Sequence, residues 1–254
     1  MPDRPAGTAS PWVAEGPPDA PVIVFVHGAI VSRAVWGPEV ALLRDRYRCV
    51  SVDLPGHGTL EGQRFTLDAA ADVVAGAIDA AGGGRALVVG LSLGGYVAMT
   101  LAARDPERVR GLVIADASLE PVGLGGLAFL AYGWLLRLLP KWLVREVGVG
   151  LFRRVYGRRM GDRLADGYDS KAGGQGVLTL PGQRFRARLR AYGGPILVIN
   201  GSLDLVFVAG ERAFVRGLPG LTVRRLHGAS HMSNLDRPEA FSAAVSDFEA
   251  TLPA

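Results

Sequence analysis

Short apolar runs recur along the chain, separated by stretches with helical spacing. Val22–Val26 reads V-I-V-F-V, residues 85–89 R-A-L-V-V, residues 111–115 G-L-V-I-A and residues 195–200 P-I-L-V-I-N. Runs of this kind, without polar alternation, read as strands buried on both faces, as in a parallel sheet. Arg48–Val52 and Leu221–Leu226 are strand-like runs with more polar content. Helical patterns lie at Leu67–Ala81, at residues 96–103 and from about residue 237 onward. There Pro238 suits a first helical turn and Glu239 the positive end of a helix. Strands and helices alternating in this way predict an α/β fold, with a mostly parallel central sheet flanked by helices. After Asp116 the rhythm stops, and residues 119–190 show helical patterns and no strand. We expect residues 1–118 and 191–254 to form one α/β core, with residues 119–190 as a helical cap insertion. A chain of 254 residues suits one such domain with an ample core.

Candidate chemistry sits where the runs end. Residues 85–89 lead into Gly90-Leu91-Ser92-Leu93-Gly94-Gly95, and an Ala-rich helical pattern follows. A G-x-S-x-G between strand and helix holds its serine at the tip of a turn too tight for flanking Cβ atoms. Ser92 is the candidate nucleophile; the alternative is a glycine-rich turn whose serine caps the helix. A serine nucleophile needs a base, the base an orienting acid, and the oxyanion a set of donors. His231, in the loop after Leu221–Leu226, is the candidate base. Its rival, His227, ends that strand-like run and reads as structural. Asp204 follows residues 195–200 directly, at the carboxyl end of a strand, where catalytic groups of open α/β sheets gather. Its rival, Asp116, follows residues 111–115 and has a capping role as its alternative. The backbone N–H groups of Ala29 and Leu93 are the candidate oxyanion hole, since Gly28 permits an unusual backbone after Val22–Val26. His27 is expected to tie that loop down.

Together these motifs resemble the α/β-hydrolase superfamily, across about residues 21–248. The residues carrying the resemblance are His27-Gly28, Asp53-Leu54-Pro55-Gly56-His57-Gly58, the Ser92 elbow, Gly201-Ser202-Leu203-Asp204 and Gly228-Ala229-Ser230-His231. The order Ser, Asp, His is that family's order. The resemblance implies a serine hydrolase that cleaves a small or medium ester, lactone or thioester through an acyl-enzyme. The same triad also serves carbon–carbon bond hydrolysis, perhydrolysis, acyl transfer and lyase or cyclase chemistry, and some members of the fold only bind small molecules. Many relatives carry an aromatic residue after His-Gly; Ala29-Ile30 here leaves room near the acyl site. A serine nucleophile disfavours dehalogenase and epoxide-hydrolase chemistry, which needs an aspartyl ester.

Composition changes the picture mainly in the cap. Residues 119–190 hold thirteen Lys/Arg against five Asp/Glu, a net of +8 within a chain whose total is +4. A solvated basic face is one reading; a field that draws in anionic substrates is the other. Residues 122–136 are almost wholly apolar. They read as a cap helix lining an apolar pocket, with Phe129 and Trp134 as candidate substrate-binding residues. An interfacial helix touching lipid is the alternative, and a membrane span is disfavoured by length. The expected partner is therefore a small molecule with an apolar acyl part, anionic on the second reading of the cap's charge, with no stable membrane insertion. No nucleic-acid motif is present. The four histidines show no metal-ligand spacing, and Gly82-Gly83-Gly84 lacks a nucleotide-binding pattern, so no cofactor is expected. The single cysteine, Cys49, excludes an internal disulfide. Residues 1–14 show no apolar leader pattern, which makes a cytoplasmic location the default expectation.

Overall fold

Alternate residues of each central strand serve two cores. Val24 and Val26 join one buried cluster, while Ile23 and Phe25 join another on the opposite face of the sheet. A strand covered on both faces has no polar side, which is why these stretches read as continuous apolar runs. The computed structural model describes residues 9–253. The reading of residues 1–8 as lacking a leader lies outside the described residues.

The elements follow in order: β1 (Trp12–Glu15), β2 (Val22–Val26), α1 (Gly37–Leu43), β3 (Arg48–Val52), α2 (Leu67–Ala81), β4 (Ala86–Leu91), α3 (Leu93–Arg104) and β5 (Val109–Ala115). Four helices come next: α4 (Gly123–Leu138), α5 (Lys141–Ala165), α6 (Ser170–Val177) and α7 (Phe185–Tyr192). The chain then returns to the sheet with β6 (Ile196–Gly201), α8 (Leu205–Val215), β7 (Leu221–Leu226), α9 (Ser233–Asp236) and α10 (Pro238–Glu249).

The strands form one sheet in the order β1-β3-β2-β4-β5-β6-β7, antiparallel only at β1 and otherwise parallel. From β2 the chain steps outward to β3, then crosses back to place β4 on the other side of β2. The loops leaving β2 and β4 therefore part at neighbouring strand ends. Such a reversal opens the crevice where ligands of open α/β sheets bind.

Local signals agree with the helices. Thr66 caps α2 by accepting from Ala69 N–H (3.1 Å), and Gly82 ends it in the left-handed region (φ 95°). On one face α2, α3 and α7 bury Val74, Val97 and Leu189; on the other α1 and α10 bury Val40, Phe241 and Val245. The segment between β5 and β6 is helical throughout its regular elements, and it divides in two. α4 packs on α6 at a glycine contact, since a Cβ on Gly133 would lie 2.7 Å from the Leu178 side chain. α7 packs on α3: the Phe185 and Tyr96 rings are 4.7 Å apart, and Arg188 donates to Thr100 Oγ1 (2.7 Å). α5 is broken at Gly157, whose φ of 80° and ψ of 161° are not helical.

Candidate active site

Ser92 occupies the sharp turn between β4 and α3 with φ 51° and ψ −118°, a conformation that L-residues avoid. Its N–H donates to Ala115 O (2.8 Å) and its carbonyl accepts from Gly95 N–H (2.9 Å), which pin the turn. The glycines make it possible. A Cβ on Gly90 would run into the Gly94 carbonyl, and one on Gly94 into that of Val26. Ser92 side-chain chemistry is thus presented at the carboxyl edge of the sheet by a backbone that packing over-determines.

Ser92 Oγ lies 3.0 Å from His231 Nε2, and His231 Nδ1 lies 2.7 Å from Asp204 Oδ2. Asp204 stands at the N-cap of α8 without using its side chain to cap that helix. Its carboxylate is left for His231. The rivals fall elsewhere. Asp116, also at positive φ (48°), accepts from Gly201 N–H (2.9 Å) and Ser233 N–H (3.2 Å). It staples the end of β6 to the segment after His231 and makes no hydrogen bond to the imidazole. Burial pushes its carboxyl up to about 6. His227 is exposed just past β7, where its carbonyl accepts from Arg237 Nε (3.2 Å).

The loop after β2 is held by two buried histidines. His27 Nε2 accepts from Leu54 N–H (3.0 Å), which assigns its proton to Nδ1, 2.7 Å from Gly28 O. Burial, then the neighbouring His57, lowers the His27 pKa to about 3, so the ring is neutral. Burial also lowers the pKa of His57, whose Nε2 lies 2.6 Å from Ala29 O. The carbonyls on both sides of the Ala29 amide are thereby tied down. Ala29 and Leu93 both line the cavity beside Ser92, and neither N–H donates to another described residue. Two free amides of this kind suit an oxyanion.

The cavity itself has a volume of ≈ 290 Å³. Among the side chains that line it are Tyr96, Phe129, Tyr132, Phe152, Val206 and Phe207, and none of the described lining residues is Lys, Arg, Asp or Glu. Of the two candidate substrate-binding residues, Phe129 lines the cavity. Trp134 is a correction: it is 51% exposed, away from the cavity, with the Arg137 guanidinium 6.0 Å from its ring. Helical geometry gives the reason. Five residues turn a helix by about 140°, whereas three bring Tyr132 back to the face of Phe129. Phe207 was invisible to sequence reasoning; its ring stacks on His231 (centroids 5.1 Å, planes 20° apart). Met232 also lines the cavity. Among the described residues, no group of three or more His, Cys, Asp or Glu could hold a metal ion.

Opposing effects set the His231 pKa. Burial lowers it, but the hydrogen bond and charge of Asp204, with the charge of Asp116, more than reverse this and leave it above the ordinary value. A protonated imidazole cannot accept the serine proton, so kcat/KM is expected to rise with pH through this pKa. The acid limb should fall above the ordinary histidine value of about 6.5. A pH profile of kcat/KM with a limb below that value would contradict the raised pKa.

Comparison with known proteins agrees with this architecture. Residues 23–244 match the model of the Alpha/beta hydrolase family. A pimeloyl-[acyl-carrier protein] methyl ester esterase of Nitrosomonas europaea is 31% identical over 248 residues, covering 91% of this chain and 96% of the relative. A 3-oxoadipate enol-lactonase of Acinetobacter baylyi is 27% identical over 249 residues, covering 92% and 90%. The enol-lactonase structure from Burkholderia xenovorans LB400 superposes with a TM-score of 0.79 at 23% identity, covering 94% of this chain and 95% of that one, and speaks for the fold. The chain is an enzyme of the alpha/beta hydrolase family.

Proposed function

We propose that the protein hydrolyses a neutral carboxylic ester with an apolar, small-to-medium acyl group, through an acyl-enzyme on Ser92. Relatives named as lactonase and esterases support ester or lactone hydrolysis in general. The observation that carries the finer reading is the cavity lining, which offers apolar and aromatic groups and no cation beside the Ser92–His231 pair. Two relatives are named for derivatives of oxoadipate and succinate, which are acids. An acid of that kind would enter this cavity without a positive partner and lose its hydration, a cost of several kcal/mol. The arginines of the helical insertion lie outside the lining and do not alter that balance.

The steps follow from the geometry. His231 Nε2 accepts the proton of Ser92 Oγ as that oxygen attacks the ester carbonyl carbon. The carbonyl oxygen takes the negative charge and receives the N–H groups of Ala29 and Leu93. Asp204 accepts the His231 Nδ1 proton, fixes the tautomer and stabilises the imidazolium. His231 then donates its Nε2 proton to the leaving alkoxide. A water, deprotonated by the same nitrogen, attacks the acyl-enzyme; the bond to Ser92 Oγ breaks, Nε2 returns the proton to that oxygen, and the acid leaves.

Chain length tests the reading. Each buried methylene contributes about 0.8 kcal/mol, so kcat/KM for p-nitrophenyl esters is expected to rise several-fold per two carbons until the cavity is full. Phe129→Ala should move the optimum to longer acyl groups. Trp134→Ala should leave the profile as in the wild type, since that side chain is outside the cavity. Faster hydrolysis of a carboxylate-bearing ester than of its neutral analogue of equal length would overturn the proposal.

A further inference from the structure

The α4–α5 pair spends little of its apolar surface on the cavity. On α4 only Gly126, Gly133 and Leu136 are buried, and Ala128, Phe129 and Tyr132 face the cavity. Leu124 (86% exposed), Leu127, Trp134, Leu135 and Leu138 (75%) lie around the rest of the helix. On α5, Trp142 (68%) begins a second exposed set, and Leu143, Val147, Leu151 and Val155 continue it at four-residue spacing, as one stripe. A helix that is apolar around most of its circumference belongs in a core or against lipid. Contiguous apolar exposure on this scale marks an interaction site.

Charge identifies the occupant. Residues 123–156, which end before the break in α5, contain five Lys/Arg and one Asp/Glu. Of these, Arg137 and Arg154 have no carboxylate partner among the described residues. Leu and Trp interleaved with arginines are the composition of a helix lying in the headgroup region of an anionic membrane. A second copy of the chain would oppose one cationic face to another. A groove on a partner protein would cover one side of a helix, whereas α4 presents apolar groups on several. The face also adjoins the catalytic cavity: Tyr132 and Val206 line the cavity and are exposed, beside exposed Leu203 and Leu205.

We propose that α4 and the first part of α5 form a docking surface for an anionic lipid bilayer, with the mouth of the catalytic cavity turned toward the lipid. α4 has 16 residues, about 24 Å of helix, less than the roughly 30 Å hydrocarbon core. The two helices meet at 109°, and among the described residues no single helix is long and apolar enough to cross a membrane. The surface therefore lies on the bilayer. Passage of an apolar ester from lipid into the cavity rests on the function proposed above; docking does not.

Flotation with vesicles tests docking separately from catalysis. Ser92→Ala protein is used, so that no ester is turned over. Vesicles of phosphatidylcholine alone are compared with a mixture of phosphatidylcholine and phosphatidylglycerol. The protein is expected to float at least tenfold better with the mixture, and less so as salt is raised. Adding Leu138→Glu and Trp142→Glu should abolish flotation. In the Ser92 enzyme the same pair should leave hydrolysis of soluble p-nitrophenyl butyrate unchanged, because neither residue lines the cavity. Arg137→Glu with Arg154→Glu should remove the preference for the anionic mixture. Absence of flotation with either vesicle overturns the proposal, as does flotation that survives Leu138→Glu and Trp142→Glu. A wild-type dimer in light scattering that becomes monomeric on those substitutions also overturns it and assigns the face to a second copy. A protein that floats but hydrolyses no ester keeps the docking surface and removes the substrate reading.

Discussion

Ser92→Ala is expected to lower kcat for ester hydrolysis by about 10⁴-fold or more while leaving the protein folded, a loss of the size that follows removal of a triad nucleophile. The hydroxyl is the atom 3.0 Å from His231 Nε2, and among the described residues no other hydroxyl or thiol hydrogen-bonds that nitrogen. The backbone at this residue makes a second outcome specific. At φ 51° a side chain is under strain that glycine does not feel. Ser92→Gly is therefore expected to be as inactive as Ser92→Ala and more stable than the wild type by about 1 kcal/mol. Thermal unfolding followed with the activity assay checks both. An alanine variant that keeps most of its rate would remove Ser92 from the mechanism.

The acid and base give the second large effect. His231→Ala is expected to cost about as much as Ser92→Ala, and the double variant little more than either, because the two act as one unit. Asp204→Asn should cost about 10²–10⁴-fold in kcat. An amide can donate to His231 Nδ1, which moves the imidazole proton to Nε2 and blocks acceptance from Ser92. Asp116→Asn is expected to act differently. Asp116 accepts two backbone N–H groups, and an amide has only one oxygen, so the loss falls mainly on stability. His227→Ala should change kcat little, since its side chain is exposed. Kinetic constants for the four variants decide the assignment; an Asp116→Asn enzyme more impaired in kcat than Asp204→Asn would reverse the roles of the two acids.

What the sequence made legible follows from which physical signals are local. β2, β3 and β7 occupy the runs read for them, residue for residue, because strands packed on two faces carry their burial in composition. The Ser92 elbow was readable because its glycines answer to local collisions. β1 was not read: Trp12–Glu15 is only four residues long and half-exposed, and it pairs with β3, forty residues away in Trp12↔Val52. The direction of Trp134 was not readable either. A helix apolar on every side carries no periodicity that says which side faces the cavity, and only packing of Gly133 on Leu178 and of Leu136 fixes its rotation. Stacking of Phe207 on His231 depends on two loops from different strands meeting, which no spacing within either segment encodes. The two histidines on the Ala29 loop fall between these cases. The motifs mark them, but their bonds to the Gly28 and Ala29 carbonyls need the fold.

In the proposed function, Ser92 carries the acyl group of a neutral, apolar ester. Rapid mixing of enzyme with excess p-nitrophenyl butyrate, acid quench and peptide mass mapping tests it most directly. A butyryl group is expected on the peptide containing Ser92, formed in a burst before steady turnover and lost on hydrolysis. Turnover with no acylated peptide, or with the acyl group on another residue, would contradict it.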